Sequence, residues 1–414
     1  RHYQIICEIN HRLLRKVAAF FPGDDVRRER MSIIQERPYQ AVRMANLAIE
    51  GCHSVNGVAK LHTELIKSDL VPDFATMYAA RFNSKTNGVT PRRWLLKSNP
   101  PLSSLISETI GTGWITDLDR LAELRPLAAD ASFRERFRQT KHQAKRALVD
   151  WVARHHDIHL DPSMRFDVHC KRIHTYKRQL LNALHIVSLF RRLDAGELTD
   201  FTPTAFIFAG KAAPGFYLAK MIIRLINGIS SIVNNDPRVN DRLRVYFLPN
   251  YRVSLAERLI PSADISEQIS MAGTEASGTG NMKFMMNGAL TLGTLDGANI
   301  EIVEQVGREN AFIFGLTSEQ VHETHAFYRP QWHYDNDPEI RAVCDMIFSK
   351  NVFCADERGA FEPIRKFLFE SGDPYMHFAD FQSYLDAHID VQALYKDEDE
   401  WSRRAILNVA ASGP

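Results

Sequence analysis

The chain has 414 residues, 45% hydrophobic and 24% charged, with 51 Lys and Arg against 50 Asp and Glu. That near-neutral balance argues against an extended basic surface for nucleic acid or for an anionic membrane, and no apolar run approaches the ~20 residues that cross a bilayer. The five cysteines (Cys7, Cys52, Cys170, Cys344, Cys354) are scattered, with no C-x-x-C pair, the usage expected of reduced thiols in a cytoplasmic protein.

This length predicts two domains, or one large domain with an appendage. The sequence opens without methionine inside an amphipathic helix, with Ile5, Ile6, Ile9, Leu13, Leu14 and Val17 at helical spacing, and stops at Ser412-Gly413-Pro414, so a fragment is expected. Residues 1 to 85 read as helices with short connections and no strong βαβ alternation. Asn83 to Arg93 is turn-rich, with Asn87-Gly88 and Thr90-Pro91, and predicts a hinge or boundary. Residues 94 to 155 read as helical, most clearly from Arg134 to His155.

From residue 164 strands and helices alternate. Strands are predicted at Met164–Cys170, Thr204–Ala209, Leu243–Leu248, Asp264–Ile269, Ala289–Leu292 and Ala311–Phe314. Helices are predicted at Lys177–Leu193, Gly215–Val233, Ser254–Leu259 and Gly280–Asn287. Such alternation implies an α/β fold with a Rossmann-like, doubly wound parallel sheet. Ligands of these sheets sit beyond the carboxyl ends of the strands, where two loops stand out: Lys171–Lys177 and Gly273–Gly280.

The first loop, Lys171-Arg172-Ile173-His174-Thr175-Tyr176-Lys177-Arg178, carries four fixed cations within eight residues at a helix start. It is either a solvated basic turn or an anion site, and its place after a strand favours the anion site. The second, Glu275-Ala276-Ser277-Gly278-Thr279-Gly280, has small residues that let backbone approach a ligand closely. It is not a Walker A loop, because the spacing is wrong and Phe284 follows Lys283. An apolar shell of Phe284, Met285 and Met286 favours a neutral amine on Lys283, although a lysine snorkelling from a buried helix reads the same way. Glu267 and Glu275 have the E-x7-E spacing of retaining nucleotide-sugar glycosyltransferases, a spacing that is common by chance. Trp94 alone reads as core, and Tyr251-Arg252 as an ordinary loop.

Taken together and in order, KRIHTYKRQLLN, GKAAPG, NNDP, ADISEQIS, EASGTGNMK and GTLDGANIEI resemble the α-glucan phosphorylases over nearly the whole chain. The resemblance implies the second domain of a two-domain GT-B glycosyltransferase architecture. Residues 1–92 become the tail of the first domain, and residues 93–414 a pyridoxal phosphate (PLP)-binding domain missing its end. It implies PLP-dependent phosphorolysis of terminal α-1,4-linked glucose to glucose 1-phosphate with retention, the cofactor's phosphate exchanging a proton with orthophosphate. By the same resemblance Lys283 forms the Schiff base with PLP, while Gly278, Thr279 and Lys177 hold its phosphate. Lys171, Arg172 and Lys177 act between the two phosphates. Glu275, Ser277, Gly278, Asn87 and Tyr176 bind the glucosyl group, Tyr251 and Arg252 lie beside the cofactor, and no metal is involved. Family members are usually dimers acting on glycogen, starch or maltodextrin. Thr175 departs from the family, which commonly has an acidic residue there, and a local tuning effect is expected. A glycine-rich loop and a histidine of the family's first half would precede Arg1. The other two readings are the nucleotide-sugar transferase, which leaves Lys283 without a role, and a non-catalytic module of the same fold.

Overall fold

A computed structural model describes residues 1–413. The chain divides into two compact units, Arg1–Asn87 and Gly88–Pro414, and the division falls within the turn-rich segment.

The first unit is helical with two small sheets. The helix His2–Phe20 buries Leu13 and Val17 against Met31, Ile33, Ile49 and Phe74. Ile5, expected on the same face, is 52% exposed. Strands β1 (Ile34–Gln35) and β2 (Ala41–Val42) pair antiparallel, whereas β3 (Val55–Gly57) and β4 (Phe82–Ser84) pair parallel across intervening helices. This parallel pair was not expected. Val55-Asn56-Gly57 and Phe82-Asn83-Ser84 are too short and too polar to show a period of two.

The second unit is built on six parallel strands: β5 (Arg165–Cys170), β6 (Thr204–Ala209), β7 (Leu243–Leu248), β8 (Ile265–Gln268), β9 (Leu290–Gly293) and β10 (Phe312–Ile313). Their order is β10-β9-β8-β5-β6-β7. Every residue of β5 and β6 is buried, as interior strands of a sheet covered on both faces should be, and in β5 this includes the polar Arg165, Asp167 and His169. Helix Gln179–Asp194 packs on Tyr217–Val233 and His377–Tyr395, while Ala131–His156 packs on Val253–Ser262 and Glu398–Ala410. Among the described residues no helix is long and apolar enough to cross a membrane.

The strand order positions the site. From β5 the chain winds outward through β6 and β7, then returns to β8 and winds the other way through β9 and β10. Adjacent β5 and β8 therefore send their following segments in opposite directions, which opens a crevice at their carboxyl ends. Both singled-out loops leave from these two strands.

Candidate functional site

The first loop begins at the last rung of β5. The Lys171 amide still donates to the Ala209 carbonyl at 3.0 Å, and the Ile173 amide donates to Lys211 at 3.1 Å. Gly210 makes this possible, since a Cβ there would lie 2.0 Å from the Lys171 carbonyl oxygen. A single 3-10 turn, Thr175–Lys177, follows, with Thr175 buried.

The second loop leaves β8 at Gln268 and is shaped by Asp296. This carboxylate accepts from the Ser270 hydroxyl at 2.7 Å and from the amides of Gly273 and Glu275, each at 2.9 Å. Gly297 lets the next turn pass beneath it, because a Cβ there would lie 2.6 Å from the Ser277 carbonyl oxygen and 2.8 Å from that of Glu275. The Met271 amide donates to the Tyr176 carbonyl at 3.3 Å, joining the two loops directly.

Between them lies Glu275. Its Oε2 accepts from Lys177 Nζ and stands 3.4 Å from Lys171 Nζ, and its Oε1 accepts from the Tyr176 hydroxyl at 3.4 Å. Lys171 Nζ also donates to Gln268 Oε1 at 2.9 Å. Burial alone would raise the Glu275 carboxyl, but the two ammonium groups outweigh it and hold it below the usual range. Burial, with Lys177 alongside, lowers Lys171 despite Glu275. Two cations against one carboxylate leave a net positive charge in a largely enclosed crevice, which suits an anion.

Lys283 sits on the short helix Gly280–Met285, directly before buried Phe284 and Met285 and two residues after buried Asn281. Its Nζ lies 4.0 Å from the centroid of the Trp94 ring. Asn287 fixes this pair by donating to the carbonyls of Trp94 and Lys283 at 2.7 and 2.8 Å, and Asn99 donates to Asn287 at 2.9 Å. Burial lowers the Lys283 amine below its ordinary value, against the opposing influence of Cys170. Burial also pushes the Cys170 thiol up to about 12 and raises the neighbouring Tyr251 hydroxyl. Ser277 is buried and donates to the Gly278 carbonyl at 2.9 Å. Gly278 has φ 79°, a conformation that disfavours any side chain, and Thr279 stands at the N-cap position of the Lys283 helix without a side-chain hydrogen bond to it.

The crevice thus brings together Lys171, Tyr176, Lys177 and Glu275 by direct contact. Lys283 gathers Trp94, Cys170 and, through Cys170, Tyr251. Arg172 is exposed at the rim, as is Arg252, whose Nε donates to Ser254 at 2.8 Å. Asn87 belongs to the first unit, where its amide donates to Val58 at 3.2 Å.

Two sequence expectations change. Arg178, counted among four clustered cations, is fully buried and ion-paired with Asp380 at 2.6 Å, because the left-handed backbone at φ 55° turns its side chain inward. Glu267 does not share a pocket with Glu275. It is fully buried, accepts from the Tyr384 hydroxyl at 2.9 Å and lies with Asp167 and His388 inside the domain. Burial and Asp167 raise its carboxyl well above the usual range, opposed only in part by the Tyr384 hydroxyl and the buried Arg165 guanidinium. The E-x7-E pair of a nucleotide-sugar transferase is therefore absent as a geometric unit.

Asp296, Asn287 and Asn299, which donates to the Gln268 carbonyl at 3.0 Å and accepts from Asn281 at 3.0 Å, were missed. The only signal was composition: polar residues inside the apolar segments MMNGAL and GTLDGANIEI, where a buried polar group must have a partner. A cavity of about 710 Å3 bordered by Arg308, Phe312, Asp386 and Arg404 shares no residue with the crevice.

The profile of the carbohydrate phosphorylases matches residues 1–414. The chain belongs to the carbohydrate phosphorylase family. Similar proteins include a glycogen phosphorylase of Synechocystis sp., 50% identical over 414 residues, all of this chain and 48% of that protein. A glycogen phosphorylase of Chlamydia trachomatis is 48% identical over 413 residues, covering 100% of this chain and 50% of that protein. The muscle form of human glycogen phosphorylase is 48% identical over 414 residues, covering 100% and 49% respectively. The chain thus spans about half the length of the curated phosphorylases it matches, and the crevice at the β5–β8 switch lies within the shared half.

Proposed function

We propose that the chain forms the cofactor- and phosphate-binding part of an α-glucan phosphorylase, which transfers the terminal α-1,4-linked glucose of glycogen or a maltodextrin to orthophosphate. The observation that carries this reading is the pairing of Lys171 and Lys177 across Glu275 in a fold unit that also presents an amine, Lys283, against an indole face.

The residues fit PLP. Among the described residues the Lys283 amine has no hydrogen-bond partner, and burial favours its neutral form, the form that can bond a carbonyl carbon. Gly278 presents bare backbone at φ 79°, and its N-terminal neighbour Ser277 already turns its hydroxyl onto the Gly278 carbonyl. Lys283 would carry PLP, with Gly278, Thr279 and Lys177 about its phosphate and Tyr251 and Arg252 beside it. When bound, PLP supplies a phosphate monoester whose second pKa near ~6 lets it donate and accept a proton at neutral pH.

The protein's own groups do the rest. Two phosphates brought together repel, and Lys171, Arg172 and Lys177 provide the fixed cations that make their approach possible. The Glu275 carboxylate keeps Lys171 and Lys177 from repelling each other and, with Tyr176, Ser277 and Gly278, forms the side that hydrogen-bonds glucosyl hydroxyls. Trp94 covers the amine and limits water there. Residues 1–92 are read as the end of a first domain and 93–414 as most of a second, and a homodimer is the assembly proposed for the whole protein.

The test is borohydride reduction of the protein followed by peptide mass analysis. The expected result is a pyridoxyl phosphate mass on the peptide containing Lys283, with glucose 1-phosphate released from maltodextrin and orthophosphate by the full-length protein and not by Lys283→Ala. An unmodified Lys283 in active full-length protein would overturn the assignment.

A further inference from the structure

Arg178 directly follows Lys177, yet its side chain leaves the crevice. It has no exposed surface and holds a left-handed backbone at φ 55°, a conformation unfavourable to any residue with a Cβ. What holds it there is a four-way engagement. Nε donates to the Ile269 carbonyl at 2.7 Å and Nη2 to the Ser270 carbonyl at 3.4 Å. Nη1 donates to Asp380 Oδ2 at 2.6 Å and to the Tyr375 carbonyl at 3.4 Å. Asp380, itself buried, accepts the Leu316 amide on its other oxygen at 2.9 Å.

Ile269 and Ser270 open the Glu275 loop. The guanidinium therefore joins the residue beside Lys177 to the segment that leads to Glu275. Ser270 continues the chain of contacts, since its hydroxyl donates to Asp296, which accepts the Glu275 amide. A planar fork can serve two successive carbonyls and a carboxylate together, whereas an ammonium is a compact point charge. We propose that Arg178, fixed by Asp380, is a positioning residue that sets the separation of Lys177 and Glu275, and with it the affinity of the crevice for phosphate; the proposal rests on the phosphorolysis reading.

The test uses the full-length protein carrying Arg178→Lys or Asp380→Asn. The dissociation constant of orthophosphate is measured by calorimetry, KM for orthophosphate and for maltodextrin separately, and thermal unfolding in parallel. Leu225→Ala, in the core of helix Tyr217–Val233, serves as a destabilised control remote from the contacts. The expected result is that both latch variants weaken orthophosphate binding about fivefold, the effect of roughly one lost hydrogen bond, with KM for maltodextrin unchanged. Leu225→Ala should lower the melting temperature without changing either constant. Unchanged phosphate affinity in the latch variants, or an equal loss in Leu225→Ala, overturns the proposal. Should neither latch variant fold, hydrogen exchange on the wild type decides. Amides 270–275 should be protected before phosphate is added, and protection gained only on adding phosphate overturns pre-positioning. A wild-type protein that binds phosphate but forms no glucose 1-phosphate refutes the phosphorolysis reading and leaves the latch measurable by calorimetry.

Discussion

Asp296 gives the sharpest stability prediction. Removing it as Asp296→Ala strands three donors: the Ser270 hydroxyl and the amides of Gly273 and Glu275. Gly273 is exposed, so water replaces its lost partner at little cost. Ser270 is 2% exposed and the Glu275 amide sits in a half-buried loop. Each of these orphaned donors costs ~1–3 kcal/mol, giving a total loss of about 2–6 kcal/mol. Asp296→Asn keeps one carbonyl oxygen able to accept from two donors and should cost about half as much. All five tryptophans (Trp94, Trp114, Trp151, Trp332 and Trp401) lie in the second unit. Their fluorescence during urea titration therefore reports the unit that contains the site, and the midpoint should fall without a change of slope. A loss below ~1 kcal/mol for the alanine variant, or an equal loss for both variants, would refute the claim that this carboxylate shapes the loop.

Three further outcomes are expected. Glu275→Gln leaves Lys171 and Lys177 without their counter-charge, so orthophosphate should bind about tenfold tighter by calorimetry while turnover of maltodextrin falls; unchanged or weaker phosphate binding contradicts the charge arrangement. Gly297→Ala places a methyl group against two carbonyl oxygens at a left-handed φ of 52° and should cost about 2–4 kcal/mol in the same urea assay; a neutral substitution would mean the loop yields freely. Burial lowers His185 to about 3, below its unfolded value near 6.5, so the unfolded chain binds the extra proton and this contribution to stability is lost as pH falls from 6.5 toward 3. At pH 5 the loss is about 2 kcal/mol, and His185→Phe should flatten the difference in urea midpoint between pH 7.5 and 5. A variant whose pH dependence matches the wild type would show that His185 titrates normally.

Strands such as Thr204–Ala209 and Leu243–Leu248 agree with the sequence reading residue for residue, because short runs rich in β-branched and aromatic residues between turn signals have few other interpretations. The loops after β5 and β8 were also legible, since charge and glycine concentrated after a strand have a physical meaning independent of detail. Less visible was direction. Nothing local distinguishes Arg178 from Lys177, and only the backbone at residue 178, with Asp380 202 residues further on, sends one inward and leaves the other in the crevice. Glu267 was opaque for the same reason, as alternation along β8 cannot say which side holds Tyr384. Asp296 shapes a loop 21 to 26 residues away in sequence, a relation that only the pairing of β8 with β9 creates.

The position of the crevice at the middle of the sheet has a mechanical consequence. Its floor is the end of two interior strands whose neighbours are hydrogen-bonded on both sides, the part of a fold that opens last in local fluctuations. Such a floor has little freedom to yield. Adjustment to ligands of different size must then be carried by rotamers and segments at the rim.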